Sequence, residues 1–282
     1  MFHLNRVIIS KNGTLTDLTP LLSDPYQGKY SATIVAAQDK LYIGSDLPFS
    51  HRFFVVPPAQ RNTVAGSVSV KIWDGSAWTS AVDVQDSTQL ESGVPFSQSG
   101  LIRFRPAVDS GWATIPDPAD VAALSTLKIY DYYWAELTFS AAFVFDLEYV
   151  GFAFAKDTDL TTYYRDLLRA DVRKAFNNNV AMDNWDKVHA VAAEEVIRDL
   201  RQEDVILSPN QVLLPEFFTD AACHKLAEMV YSQRGEAAEG RLDFARKKYK
   251  EAMSRKNWGI DKNATGTPSK VEREGPRMLR RV

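Results

Sequence analysis

The period of the apolar residues changes once along this chain, near Asp157, and that change limits the fold more than any other feature. Before it, Val68, Val70 and Ile72 alternate with Ser67, Ser69 and Lys71. That is period two, a strand with one buried and one wet face. After it, Leu160, Tyr164, Leu168, Val172 and Phe176 recur every four residues, the stripe of an amphipathic helix. Two patterns in two separate halves predict an α+β protein: an antiparallel β-sandwich-like N-terminal domain, then an α-helical bundle.

Residues 1–155 read as the β domain. Arg6–Ser10 and Thr14–Leu18 flank Lys11-Asn12-Gly13, and Asn-Gly supplies the positive φ values of a tight hairpin turn. Further short strands are expected at Tyr30–Ala36, Leu41–Gly44, Arg52–Val56, Ser67–Asp74, Ala77–Val82, Gly100–Pro106, Tyr133–Phe139 and Phe145–Phe154. Gly, Pro, Asp and Ser punctuate them, as in antiparallel sandwiches. Asp74-Gly75 turns the chain between Trp73 and Trp78, and Asp83–Gly100 is expected to be a long polar crossing.

Residues 156–256 read as the helical bundle. One helix is expected over 157–176 and a second over 184–202. An extended connection with Pro209 and Pro215 covers 206–218, and a third helix covers 219–233. A fourth turns Leu242, Ala245, Tyr249 and Met253 inward and Arg246, Lys247, Lys248 and Lys250 outward. From 257 to 282 the periodicity stops. From Lys256 onward there are seven Lys or Arg and three Asp or Glu. Such a segment cannot build a core of its own, so it is either disordered or ordered by a partner, an extended basic arm. Its deletion from 257 is expected to leave a folded protein.

Chemistry is hard to find. The net charge of −3 over 282 residues sets no global field for nucleic acid or anionic membrane. The single cysteine, Cys223, cannot form an internal disulfide and falls on an apolar helical stripe. No apolar run approaches the roughly 20 residues a membrane helix needs, and the first residues lack the pattern of a signal peptide. A soluble intracellular product is expected. His3, His51, His189 and His224 lie in no nucleophile motif, no Cys or His spacing suits zinc, and no phosphate-binding glycine loop occurs. Glu194 and Glu195 point about 100° apart on a helix. The expectation is no catalytic residue, no metal, no cofactor and no enzyme. Trp73, Trp78 and Trp112 leave open a carbohydrate-binding module, with sheet-edge anchoring as the plainer role.

Three segments carry a resemblance. Tyr42-Ile43-Gly44 with Pro48-Phe49 and Phe53-Phe54 is followed by Asp74-Gly75 with Trp78. Then come Phe96–Phe104 and Tyr133-Trp134 with Leu137. Together, over residues 38–155, these resemble virion proteins of tailed bacteriophages; residues 157–256 are more weakly similar to helical head–tail connectors, or adaptors. The resemblance implies a virion neck protein: a homo-oligomeric ring of twelve copies under the portal protein. Genomic DNA would pass through its lumen without specific binding. The β domain would face tail-terminator or nozzle proteins, or tail fibres. The arm would clasp the portal through Arg273, Arg277, Arg280 and Arg281, with Met278 and Leu279 as apolar anchors. A baseplate or fibre-attachment protein is the alternative within the same resemblance.

Overall fold

The computed structural model describes residues 5–90, 93–105, 111–178, 180–255 and 259–261. They form an α+β protein that divides into two compact units, one ending at Gly151 and the other beginning at Phe152.

The first unit is built of antiparallel sheets. Its strands are β1 (Asn5–Lys11), β2 (Thr14–Asp17), β3 (Tyr30–Ile34), β4 (Lys40–Ser45), β5 (His51–Val55), β6 (Val68–Trp73) and β7 (Trp78–Ser80). They continue with β8 (Val82–Asp86), β9 (Gly100–Arg105), β10 (Thr114–Ile115), β11 (Tyr132–Phe139), β12 (Phe143–Leu147) and β13 (Tyr149–Gly151). A short helix, α1 (Thr19–Leu22), follows β2. The large sheet runs β2-β1-β4-β11-β6-β7, with β10 on β11; β13-β5-β9-β8 form a second sheet and β12-β3 a ribbon.

The hairpin expected at Asn12-Gly13 is present, with φ of 48° and 83°. The expected alternation in β6 holds as well: Val68, Val70 and Ile72 are buried. These three residues join Val7, Ile9, Leu41, Ile43 and Leu137 on one face of the large sheet. Phe54, Ile102 and Phe104 from the second sheet and Ile34, Phe143 and Phe145 from the ribbon complete that core. On the other face of the large sheet, Ile8, Tyr42 and Trp134 are covered by Ile115, Val121 and Leu124. Gly44 lies opposite Trp134 in register. A Cβ there would stand 2.8 Å from the indole ring, so only glycine lets the ring lie across the strand.

Two expectations for this unit are corrected. Asp83–Gly100 is not wholly a polar crossing: its first residues belong to β8, which pairs with β9 through a bulge between Val82 and Gln85. Phe145–Phe154 is not one strand: β12 and β13 join different sheets, and Phe152, Phe154 and Ala155 pack in the helical core.

The second unit contains α2 (Asp157–Leu160), α3 (Ala170–Phe176), α4 (Asp186–Gln202), α5 (Thr219–Ser232) and α6 (Glu239–Met253). Helices α4, α5 and α6 follow the spacing of their apolar residues. Val188, Ala192, Val196 and Leu200 of α4 meet Cys223, Leu226, Ala227 and Val230 of α5 and Ala245, Tyr249 and Met253 of α6. The connection between α4 and α5 is not extended throughout; 3-10 turns at Pro209–Gln211 and Pro215–Phe218 shorten it.

The single helix expected over 157–176 is broken into α2, a 3-10 turn at Arg165–Leu168 and α3. Tyr164 leaves helical geometry at φ −138°, ψ 48°, and Arg169 is extended at φ −73°, ψ 136°. Tertiary partners hold the break. The Tyr164 hydroxyl bonds His224 Nδ1 at 2.8 Å, and Asp166 accepts from the Tyr231 hydroxyl at 3.0 Å and pairs with Arg241. Of the expected stripe, Leu160, Tyr164 and Val172 are still buried, and Leu168 and Phe176 are half-buried against the same core. The four-residue spacing is therefore real, while the backbone between its members is not a continuous helix.

Candidate functional site

The arm residues named from the sequence, Arg273, Arg277, Met278, Leu279, Arg280 and Arg281, lie outside the described residues. What is described is the root of the arm, and it differs from the expectation of a segment ordered only by a partner. Gly259, Ile260 and Asp261 pair with the connection between α4 and α5.

Leu213 and Leu214 donate their amides to the Gly259 carbonyl at 2.9 and 3.2 Å, and the Asp261 amide donates to the Gln211 carbonyl at 2.7 Å. Val212 and Ile260 form an antiparallel bridge. The Gln211 side chain secures the same junction. Its Nε2 donates to the Asp261 carbonyl at 3.1 Å, while its Oε1 accepts from the amides of Leu207 and Ser208 at 2.6 and 3.0 Å.

Ile260 is fully buried in the helical core, which is why three residues beyond the last periodic helix are held. Gly259 has φ +70°, and a Cβ there would lie 2.6 Å from Leu214 Cβ. Both the turn and the close approach require glycine. Sequence reasoning missed this strap because one isoleucine carries no period. The readable signal is a glycine and a lone apolar residue just past a helix end, with a proline-rich connection elsewhere in the unit.

A charged cleft of about 680 Å³ is lined by Asp199 and Glu203 at the C-terminal end of α4, Lys225 and Glu228 of α5, and Arg246, Tyr249 and Lys250 of α6. Lys225 lies 3.7 Å from Asp199 and 3.2 Å from Glu228, with its ammonium 4.2 Å from the centre of the Tyr249 ring. Tyr249 donates to Asp199 at 2.6 Å. Burial, then the bond to Asp199, pushes its hydroxyl far above its ordinary range. Three carboxylates therefore face three cations, and the helices are tied together by charge as well as by apolar contact. The basic stretch 246–250 presents a solvated face with Tyr249 turned inward, as its spacing predicts.

Cys223 is buried, and burial followed by Asp159 and Asp220 pushes its thiol up, which keeps it protonated near neutral pH. His224 is pushed down, chiefly by burial. His189 Nε2 lies 3.2 Å from Asp157 Oδ1, which also accepts from the Trp185 amide at 3.1 Å. In the β unit His51 is pushed down to about 3 by burial and by the charges of Arg52 and Arg103. Among the described residues, no group of three or more His, Cys, Asp or Glu is placed to hold a metal ion, and no helix is long and apolar enough to cross a membrane.

The tryptophans weighed as sugar platforms are half-buried sheet anchors. Trp73 and Trp78 face each other in register across the β6–β7 hairpin with centroids 5.6 Å apart, and Trp78 also packs on Tyr42. Asp74 closes the turn by accepting from the amides of Ser76 and Ala77 at 2.8 and 2.7 Å; these bonds hold its carboxyl below the usual range. Trp112 packs against Phe49, Phe104 and Tyr133.

No protein-family model matches the chain, and a search of curated proteins gives no significant match.

Proposed function

We propose that the chain is a structural connector of a tailed-bacteriophage neck, forming a ring under the portal around the DNA channel. The observation that carries this reading is the strap. A basic segment that cannot collapse alone begins at a point fixed by Gln211, Val212 and Leu213. A tail with a fixed root and no core of its own is suited to ordering on a preformed groove of a neighbour. Repeated in every copy of a closed ring, such weak contacts add by avidity. The β unit, with its own core, is suited to holding tail-terminator or nozzle proteins, or fibres. The resemblance over residues 38–155 supports the same reading.

The test is electron microscopy and native mass measurement of the full chain, alone and mixed with purified portal rings. A monomer that becomes a ring on the portal is expected. Removal of residues 262–282, leaving the strap intact, should give a folded protein that no longer joins portals. Undiminished joining by that truncation sinks the role of the arm. Density at the tail tip and none at the portal would instead favour the baseplate alternative.

A further inference from the structure

The charged cleft of the helical unit has more polar capacity than its own ion pairs use. Among the described residues the Lys225 ammonium reaches only Glu228 within hydrogen-bond range, at 3.2 Å, while Asp199 stands 3.7 Å off. Arg246 bonds Glu228 through Nε alone, at 3.3 Å, which leaves the fork of its terminal nitrogens open to the cleft. Lys250, one turn further along α6, is exposed and makes no ion pair among the described residues. On the α4 side, Asp199 accepts the Tyr249 hydroxyl through Oδ2, and among the described residues its Oδ1 accepts nothing. These pairs are also longer than the roughly 2.7–2.9 Å of a good charge-assisted bond.

The charges are sorted by helix. The α6 wall carries cations, Arg246 and Lys250, and the α4 wall carries carboxylates, Asp199 and Glu203. Between them α5 contributes Lys225 and Glu228, which neutralise one another. The last carbonyls of α4 add partial negative charge on the carboxylate side. A field therefore crosses the cleft from α6 to α4. A molecule with one anionic and one cationic end lies along that field, whereas a plain anion or cation is repelled by one wall. Tyr249 of α6 spans the same gap to touch Asp199, so the gap is no wider than a tyrosine side chain.

We propose that the cleft binds a short linear zwitterion, its ammonium end on Asp199 and its carboxylate end on Arg246 and Lys250. A stem of a few methylene groups then lies against Tyr249 and Met253, which line the same cleft. Both ends are needed, because a single ion pair at a partly exposed wall contributes little. A free ω-amino acid and the C-terminal lysine of a peptide share this chemistry. The inference is independent of the connector reading.

The experiment titrates the isotope-labelled full chain with ε-aminocaproate and follows its amide resonances. Saturable shifts centred on Lys225 and Tyr249 are expected. The amide of ε-aminocaproate lacks the carboxylate and its N-acetyl derivative lacks the ammonium. Each should bind about tenfold more weakly, the value of one charge-assisted contact. Lys250→Ala should weaken ε-aminocaproate by a factor of a few with the melting curve unchanged. Asp199→Asn, which keeps an acceptor for Tyr249, should weaken it about tenfold. Acetyl-glycyl-lysine separates the two sources: tighter binding than ε-aminocaproate points to a peptide end, weaker binding to a free amino acid. No saturable binding of either zwitterion overturns the inference, and so does equal binding of the two capped probes. Wild-type affinity in both variants puts the ligand elsewhere and overturns it as well. If Asp199→Asn melts early, Lys250→Ala decides alone, and unchanged affinity there overturns the site.

Discussion

The two units bury polar groups in opposite ways. The β unit places charge deep in its structure: Asp39, His51, Arg52, Glu136 and Asp146 are all buried. The helical unit brings its helices together through alanines, among them Ala192, Ala193, Ala222, Ala227 and Ala245. Among its described residues the buried polar groups are His189, His224 and four others, Ser208, Asn210, Gln211 and Asp261. Those four lie on the connection between α4 and α5 or on the strap. A helix satisfies its own backbone and needs no polar help inside, whereas irregular backbone must find partners wherever it is covered. Apart from the two histidines, which lie within α4 and α5, buried polarity marks the place where the helical unit stops being regular, which is where the arm leaves.

In the β unit the same groups tie neighbouring strands and loops. Glu136 accepts from Lys40 at 2.8 Å and from the Tyr42 hydroxyl at 3.0 Å, and Lys71 lies 4.0 Å away. Asp39 accepts from Lys11 at 2.6 Å and from the amides of Val35 and Asn12 at 2.8 and 3.0 Å. Burial raises the Asp39 carboxyl, but these bonds outweigh it and hold it below its usual value. The Arg52 guanidinium lies 3.8 Å over the Phe49 ring and donates to Asn5 at 2.7 Å. Burial pulls it down to about 9.

The largest expected effect tests the apolar side of this contrast. Trp185 is fully buried, and its indole donates to the Leu167 carbonyl at 2.9 Å. Trp185→Ala should cost about 3–5 kcal/mol, read by urea unfolding with hydrogen exchange in α4 as the unit-specific signal. A loss below about 1 kcal/mol would mean that the helical core is not as closely filled as its contacts imply.

Acidification tests the charged side. His51 has a folded value of about 3 against an ordinary 6.5. The unfolded chain takes a proton below 6.5 and the folded one does not until about 3. Stability from this group is complete above 6.5 and falls as the pH drops towards 3. Asp39 and Asp146 are also lowered and act in the same sense at more acid pH. From pH 7 to pH 4 the β unit should lose about 2–4 kcal/mol, seen as faster exchange of β5 and β11 amides after correction for intrinsic rates. His224 drives the helical unit in the same direction. Equal protection of β5 at both pH values would contradict the buried position of His51.

Two glycines give the smallest and most closely matched pair. Gly13 and Gly259 both have positive φ, but Gly13 has open space where a Cβ would point and Gly259 has Leu214 and Phe217. Gly13→Ala should cost about 1 kcal/mol, the backbone strain alone. Gly259→Ala should cost about 2–3 kcal/mol, because overpacking adds to that strain. Equal effects in thermal melts would show that the strap yields to the extra methyl.

Much of the fold was legible because its signals are local. Asn12-Gly13 names its turn, β6 its face, and α4, α5 and α6 their stripes. What escaped reading depends on partners distant in sequence. Residues 157–176 keep helical spacing while His224, Tyr231 and Arg241 draw the backbone out of the helix. β8 alternates too weakly to stand out, since its outer positions are polar and its register is bulged. The strap escaped because Ile260 acquires its partners only when the connection between α4 and α5 comes alongside. The arginines named for the arm fall outside the described residues, so the structure describes only the root of the candidate site, the part that the sequence did not reveal.

The lone thiol has a practical consequence. Cys223 is sealed among the helices and held protonated, so an alkylating reagent added to the native chain finds no ready target in it. A cysteine introduced at an exposed position becomes the single handle for a dye or spin label, with no need to replace the natural one. Run in reverse, the slow capture of Cys223 itself clocks how often the helices part, and a bound partner that steadies them would lengthen that interval.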